Sequence, residues 1–145
     1  MERRELLALL GAGAAGLVAT GSANAGDDDE KKKADHEHLM TMNRCAAICN
    51  MTTAHCLARI EKGGSENAGA HAKIAAATND CQSFCTLTAA LMARKSPMAI
   101  YAHKACADAC RDCAEACDKS ADEHVKKCAE VCRECERACR ACCSA

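Results

Sequence analysis

A chain of 145 residues has room for one domain of ordinary size and not for two. With a formal net charge of -1, one Phe, one Tyr and no Trp, it offers nucleic acid neither a basic field nor a stacking platform. Its 50% apolar fraction is carried largely by Ala and by 15 Cys; side chains this small bury little area, so bound metal or oligomerisation should help hold the fold together.

The first 25 residues read as an address. Arg3-Arg4 precede Glu5-Leu6-Leu7 and a weakly apolar Gly/Ala run to Thr20, and Ala23-Asn24-Ala25 fits an A-x-A cleavage pattern. The R-R-x-L-L order resembles a twin-arginine signal, which directs export of a folded protein and implies the periplasm as its destination. The run is too short and glycine-rich for a good membrane span, so the mature form is expected to have no membrane segment. Cleavage after Ala25 leaves every cysteine in the mature chain. Residues 26–37 are nearly all charged or small and read as a flexible, solvated tail.

Residues 38–143 read as four helices. The first runs from about His38 to Lys62 and is stopped by Gly63-Gly64; the second starts at Glu66 or Ala70 and runs to about Arg94, through an Ala-rich stretch that favours helix. Ser96-Pro97 reads as an N-cap followed by Pro at the first helical position of a third helix, ending near Lys119. Ser120 and Glu123 fit a capping box opening a fourth, which runs to about Cys142. No run alternates in the manner of a strand, so the fold class is all-α, an antiparallel four-helix bundle with short links.

The chemistry lies in the last two helices. Lys104–Lys119 reads KACADACRDCAEACDK and Lys126–Ala141 reads KKCAEVCRECERACRA, a C-x3-C-x2-C-x3-C repeat offset by 22 residues. At about 100° per residue, Cys106, Cys110, Cys113 and Cys117 fall within roughly 60° of arc, and Cys128, Cys132, Cys135, Cys139 and Cys142 within roughly 80°. Cys45, Cys49 and Cys56 repeat the spacing on helix one, and Cys81 and Cys85 on helix two. Asp108, Arg111, Asp112 and Glu115, then Glu130, Arg133, Glu134 and Arg137, occupy the opposite faces. The stripe that would carry Leu and Ile in an ordinary bundle is cysteine, and it faces inward.

Several readings of that stripe compete. Cys can serve as a small buried hydrophobe, which suits two or three positions better than thirteen. A disulfide scaffold fits an exported, Cys-rich chain and stays open through bridges between helices, but the count is odd and i, i+4 pairs in a helix meet disulfide geometry poorly. A thiol redox protein wants a C-x2-C at a helix N-terminus, whereas Cys110/Cys113 and Cys132/Cys135 sit mid-helix. A thiolate metal site fits the pattern best. Soft sulfur selects Cu(I), Zn(II) or Fe–S. Zinc favours separate closed sites of four ligands, Fe–S clusters favour loop-borne Cys runs, and Cu(I), which takes two or three bridging thiolates, suits a continuous ladder. His36, His38, Met40 and Met42 form an H-x-H-x-M-x-M string that offers weaker copper ligands at a bundle mouth, with Met51, His55, Met92 and His103 as further candidates. No nucleophile–base–acid set or phosphate loop is evident, so the chain reads as a storage module and not an enzyme.

These residues carry a resemblance. The two repeats, the CQSFC of Cys81 to Cys85 and the following LMARKSP are similar to the bacterial copper storage proteins, in particular their exported branch, within the cysteine-rich four-helix-bundle copper-binding proteins. The resemblance implies a bundle packed with several Cu(I) per chain, a homotetramer as the usual assembly, and exchange with copper donor or acceptor proteins. It implies a ligand role for Cys45, Cys49, Cys56, Cys81, Cys85, Cys106, Cys110, Cys113, Cys117, Cys128, Cys132, Cys135 and Cys139. Cys142 and Cys143 depart from the pattern: being adjacent, at most one of them continues the stripe.

Overall fold

The computed structural model describes residues 25–63 and 65–143. Four helices follow one another: α1 (Ala25–Glu61), α2 (Ser65–Ala93), α3 (Ala99–Asp118) and α4 (Glu123–Cys143), with no strand among the described residues. Each helix packs on its two neighbours in a ring, α1 on α2 and α4, α3 on α2 and α4. The register is antiparallel throughout: Cys45 lies beside Cys132 and Cys49 beside Cys128, while Cys81 faces Cys110 and Cys85 faces Cys106. The all-α bundle expected from the sequence is therefore present.

The links differ in detail from their sequence signals. Gly63 stops α1 with φ of 102°, a conformation open to glycine without a Cβ penalty. At the end of α2 the left-handed residue is Lys95, φ 53°. The Ser96 amide bonds the Leu91 carbonyl and the Lys95 amide bonds that of Met92, a Schellman closure without glycine. Ser96 and Pro97 stay in the turn, so α3 begins two residues beyond Pro97, with Met98 at its N-cap and no side-chain cap. The Ser96 hydroxyl instead accepts the Met98 amide, closing the turn ahead of the helix. At α4 the cap is not Ser120 but Asp122, whose Oδ1 accepts the His124 amide at 2.9 Å; Ser120 accepts the amide of Asp122.

The largest departure lies at the N-terminus. Residues 26–37, read as a flexible tail, continue α1 as helix. Asp27 and Asp28 occupy the first turn, where the helix dipole favours acid, and Lys32 pairs with Asp29 one turn on. Residues 27–37 are solvent-exposed as expected, for a reason of length. At 1.5 Å per residue α1 is about 55 Å long and α4 about 30 Å; α4 ends beside His38, so the start of α1 has no partner on α4 among the described residues. The signal-peptide reading of residues 1–25 falls, but for Ala25, outside the described residues.

The core holds thirteen buried cysteines with Ala75, Ala89, Ala107, Ala114 and Ala129, and few larger apolar groups: Met42, Ile74, Val125 and Val131. Three threonines are also fully buried. Thr52, Thr78 and Thr88 satisfy their hydroxyls on the carbonyls of Ile48, Ile74 and Phe84 one turn back. Neutral thiols pack as small apolar groups, so the metal-free, reduced protein should show full far-UV helical circular dichroism. A coil spectrum that turns helical only with metal would place it with the metal-folded domains.

Asp122 ties the α3–α4 turn to α1. Besides capping α4 it accepts His55 Nε2 at 2.8 Å, and the imidazole of His55 stacks on that of His124. The His55 hydrogen bond, foremost, holds the Asp122 carboxyl below the usual carboxylate range. A depressed acid stabilises the fold above its unfolded pKa and loses that contribution as pH falls through the folded one. Asp122→Ala should thus cost about 1–2 kcal/mol at neutral pH, and the difference from wild type should shrink in urea melts at acid pH.

Candidate metal centre

Each inward stripe follows from the 3.6-residue period, and the structure adds what one helix cannot specify, which sulfurs meet. Sγ–Sγ distances between helices are 3.5 Å for Cys49–Cys132, 3.6 Å for Cys81–Cys110, Cys85–Cys106 and Cys113–Cys132, and 3.7 Å for Cys85–Cys110. Cys81–Cys132 and Cys85–Cys135, both 3.9 Å, cross the bundle diagonally from α2 to α4. These sulfurs reach across between two helices that are not neighbours in the ring.

Four quartets of thiols have all their sulfurs within 4.8 Å of one another. In order along the bundle they are Cys85/Cys106/Cys110/Cys135, Cys45/Cys81/Cys85/Cys110, Cys45/Cys49/Cys81/Cys132 and Cys49/Cys113/Cys128/Cys132. Successive quartets share two sulfurs: Cys85 and Cys110, then Cys45 and Cys81, then Cys49 and Cys132. The ladder is therefore edge-shared, with no boundary at which one site ends and another begins. Cys139 extends it toward the N-terminal end of α1, and Cys56 and Cys117 are buried toward the other end.

The spacing refines the bonding. With a metal–sulfur bond of about 2.3 Å, a linear S–metal–S unit needs about 4.6 Å, a trigonal edge about 4.0 Å and a tetrahedral edge about 3.8 Å. The i, i+4 pair Cys128/Cys132, 4.0 Å apart, is closer to the trigonal value than to the linear one that its spacing suggests. Two-coordinate binding would require the sulfurs to part by about half an ångström, within the reach of a rotamer adjustment.

At the end where α1 meets α4, the H-x-H-x-M-x-M string divides by helical phase. His38 and Met42 turn inward; His36 and Met40 are exposed. His38 Nδ1 lies 3.0 Å from Cys142 Sγ and its Nε2 3.6 Å from Cys139 Sγ. His103 stacks on the same ring at 4.9 Å, and its buried Nδ1 has no hydrogen-bond partner among the described residues. His38, His103 and Cys142 together have metal-binding spacing. Cys143 is exposed and turned away, so one member of the terminal pair does continue the stripe. Met51 is exposed, Met92 packs against the core, and His55 is engaged with Asp122.

The profile of the family described as Csp, copper storage protein, matches residues 31–144. The chain belongs to the copper storage protein family. Among solved structures it is similar to a Cu(I)-bound copper storage protein, BsCsp3, with 23% identity, a TM-score of 0.66, and coverage of 74% of this chain and 96% of that one. It is also similar to a double histidine-to-alanine mutant of Ccsp from Streptomyces lividans: 28% identity, TM-score 0.68, coverage 78% and 95%. No curated protein matches the chain. Membership of this family makes the thiol ladder the place to look for stored copper, and its protonation the first question.

Cys45, Cys81, Cys106 and Cys128, one on each helix, are held below the ordinary thiol range by S–H groups of neighbouring cysteines, chiefly Cys110 for the first three and Cys113 for Cys128. Their neighbours are held above it: Cys49 and Cys132 chiefly through Cys113, Cys85 and Cys110 chiefly through Cys106. A thiolate anchored by S–H donors makes each donor harder to deprotonate, so the thiols cannot ionise together without metal to neutralise them. Cys56 is pushed up to about 11, first by burial and then by the Asp122 carboxylate and Cys128. Burial, foremost, lowers both His38 and His103, leaving neutral imidazoles with a lone pair for a metal.

Sequence phase found the thirteen core cysteines; it could not find the cross-helix quartets, nor the pairing of His38 with Cys142 more than a hundred residues away. Among the described residues no helix is long and apolar enough to cross a membrane.

Proposed function

We propose that this member of the copper storage protein family holds Cu(I) on the thirteen buried thiolates from Cys45 to Cys139, without catalysing a reaction. The observation that carries the reading is the edge-shared series of quartets. Metals that bridge common sulfurs can fill such a series one after another, whereas closed zinc sites would need four sulfurs each to themselves. Charge points the same way. One Cu(I) per thiolate leaves a neutral core, and a buried uncompensated charge is costly. His38, with His103, Cys139 and Cys142, would form a mixed nitrogen–sulfur mouth at the α1–α4 end, where weaker ligands let copper pass.

The finer readings of compartment and assembly belong to the same proposal. The Arg3-Arg4 signal supports export of the folded chain to the periplasm and cleavage after Ala25; intact mass of the periplasmic form tests it. Exposed Leu57, Leu87, Ile100 and Tyr101 supply apolar surface for a homotetramer, and copper donor or acceptor proteins would act at the mouth. Against a disulfide bundle or thiol redox protein, the deciding measurement is a count of free thiols in denatured, metal-free protein purified without reductant. Storage requires a count near the 15 cysteines of the sequence; a count near one would give the disulfide reading its place.

A further inference from the structure

At the end of the bundle remote from His38, a cavity of about 700 Å3 opens between the last turns of α1 and α3, the first half of α2 and the α3–α4 turn. Its polar lining is Arg59, Asn67, His71, Lys73, Lys119, Ser120 and Asp122. Three of these are cations, and none of the three has an ion pair among the described residues, although surface pairs are plentiful elsewhere: Arg44–Glu134, Arg133–Asp118 and Arg140–Asp108 lace the α4 side. Asp122 brings one carboxylate charge against these three cations and forms no ion pair with them, one of its oxygens accepting His55 and the other capping α4. His71 is half-buried, and its enclosed Nδ1 has no hydrogen-bond partner among the described residues.

Placement at helix ends explains part of this. Arg59 lies in the last turn of α1 and Lys119 at the C-cap of α3, where a cation is favoured by the dipole. It does not explain Lys73 and His71, which are in the interior of α2 on the face turned to the same cavity. Nor does it explain the volume, which falls in the range of small-molecule sites and exceeds the needs of a water or a halide. Three unpaired cations around one carboxylate leave the cavity electropositive, and the half-buried His71 imidazole adds a hydrogen-bonding group to its wall.

We propose that this cavity binds a small, multiply charged anion bearing carboxylate or phosphate groups, held by Arg59, Lys73 and Lys119 and oriented by His71. The site is separate from the copper ladder. It gives the protein a second ligand whose binding does not depend on the metal.

Calorimetric titration of the metal-free, reduced full chain with citrate and with pyrophosphate tests it, with acetate as the single-charge control. Saturable binding at one site per chain is expected for at least one polyanion, weakening as salt is raised, with acetate much weaker. Arg59→Ala and Lys119→Gln should each weaken it by about tenfold, the size of one charge-assisted contact. Both side chains are exposed, so the variants should keep the wild-type helical spectrum and Cu(I) capacity. Preference for citrate or for pyrophosphate would name the group recognised. No saturable heat to about 10 mM of either probe, affinity for acetate equal to that for citrate, or binding unchanged in both variants would overturn the proposal. Because Cu(I) capacity is read separately, failure here leaves the storage reading untouched.

Discussion

Anaerobic titration of the reduced, metal-free protein with Cu(I), in competition with a chromophoric Cu(I) chelator, should saturate at more than ten ions per chain. The number follows from sharing. If each copper takes two thiolates and each thiolate bridges two coppers, copper and thiolate are equal in number, and thirteen cysteines are buried in one connected set. Trigonal binding, favoured by sulfurs already 3.5–4.0 Å apart, would give about nine coppers if every sulfur bridged two, so more than ten requires that part of the set be two-coordinate or that some sulfurs bridge three. Zinc in closed sites of four unshared sulfurs would saturate at about three ions on the same ligands. Saturation at one to three Cu(I) would contradict storage and favour a single discrete site. Filling should also stabilise the fold: at free copper 100 times Kd one site contributes about 2.7 kcal/mol if the unfolded chain does not compete. The thermal midpoint should therefore rise progressively along the titration, not in a single early step.

Which parts of this could be read from sequence follows from what helical periodicity can encode. A period of 3.6 residues fixes the direction of each side chain around its own helix. Cys106, Cys110, Cys113 and Cys117 were thus legible as an inward face, and so was the charged face of Asp108, Arg111 and Asp112. Periodicity says nothing of axial register between helices. Here that register depends on the turns, and the turn after α2 uses Lys95 in a left-handed conformation that no glycine announces. The meeting of Cys81 with Cys132 across the bundle, and of His38 with Cys142 at its end, lay beyond local reasoning for that reason. Residues 26–37 misled by composition. Their charge density suggested a solvated coil, and they are solvated, but acid at the first turn followed by lysines also suits a helix that no partner covers. The cap of α4 was misplaced by two residues because Ser120 and Asp122 are both competent caps, and the hydrogen bond from His55 on a distant helix helps select Asp122.

Changing Cys128, Cys132, Cys135 and Cys139 together to Ser should remove about four Cu(I) or more from the capacity, while Cys142 and Cys143 changed together should remove at most one or two. The four positions are not equivalent in the ladder. Cys132 belongs to two quartets and touches Cys45, Cys49, Cys81 and Cys113, so its loss interrupts the shared edge as well as deleting a ligand. Cys128 and Cys135 belong to the two terminal quartets, and Cys139 joins the ladder to His38. A hydroxyl is a hard, weakly acidic ligand and does not replace a thiolate on Cu(I). The obvious objection is collapse of the fold, since four unsatisfied buried hydroxyls at about 1–3 kcal/mol each would rival the stability of a domain. This core already shows the remedy: Thr52, Thr78 and Thr88, all buried, bond the carbonyl one turn back. A serine hydroxyl in α4 has the same carbonyl available, so the variant should retain its helical spectrum with a lowered thermal midpoint. Alanine at the same four positions removes the hydroxyl question altogether, at the cost of small cavities, and should lose the same copper. Capacity measured against the chelator compares all three variants. Equal losses from the four α4 thiols and from the terminal pair would contradict the inward stripe as the site, and an undiminished capacity in both α4 variants would contradict copper storage on the ladder.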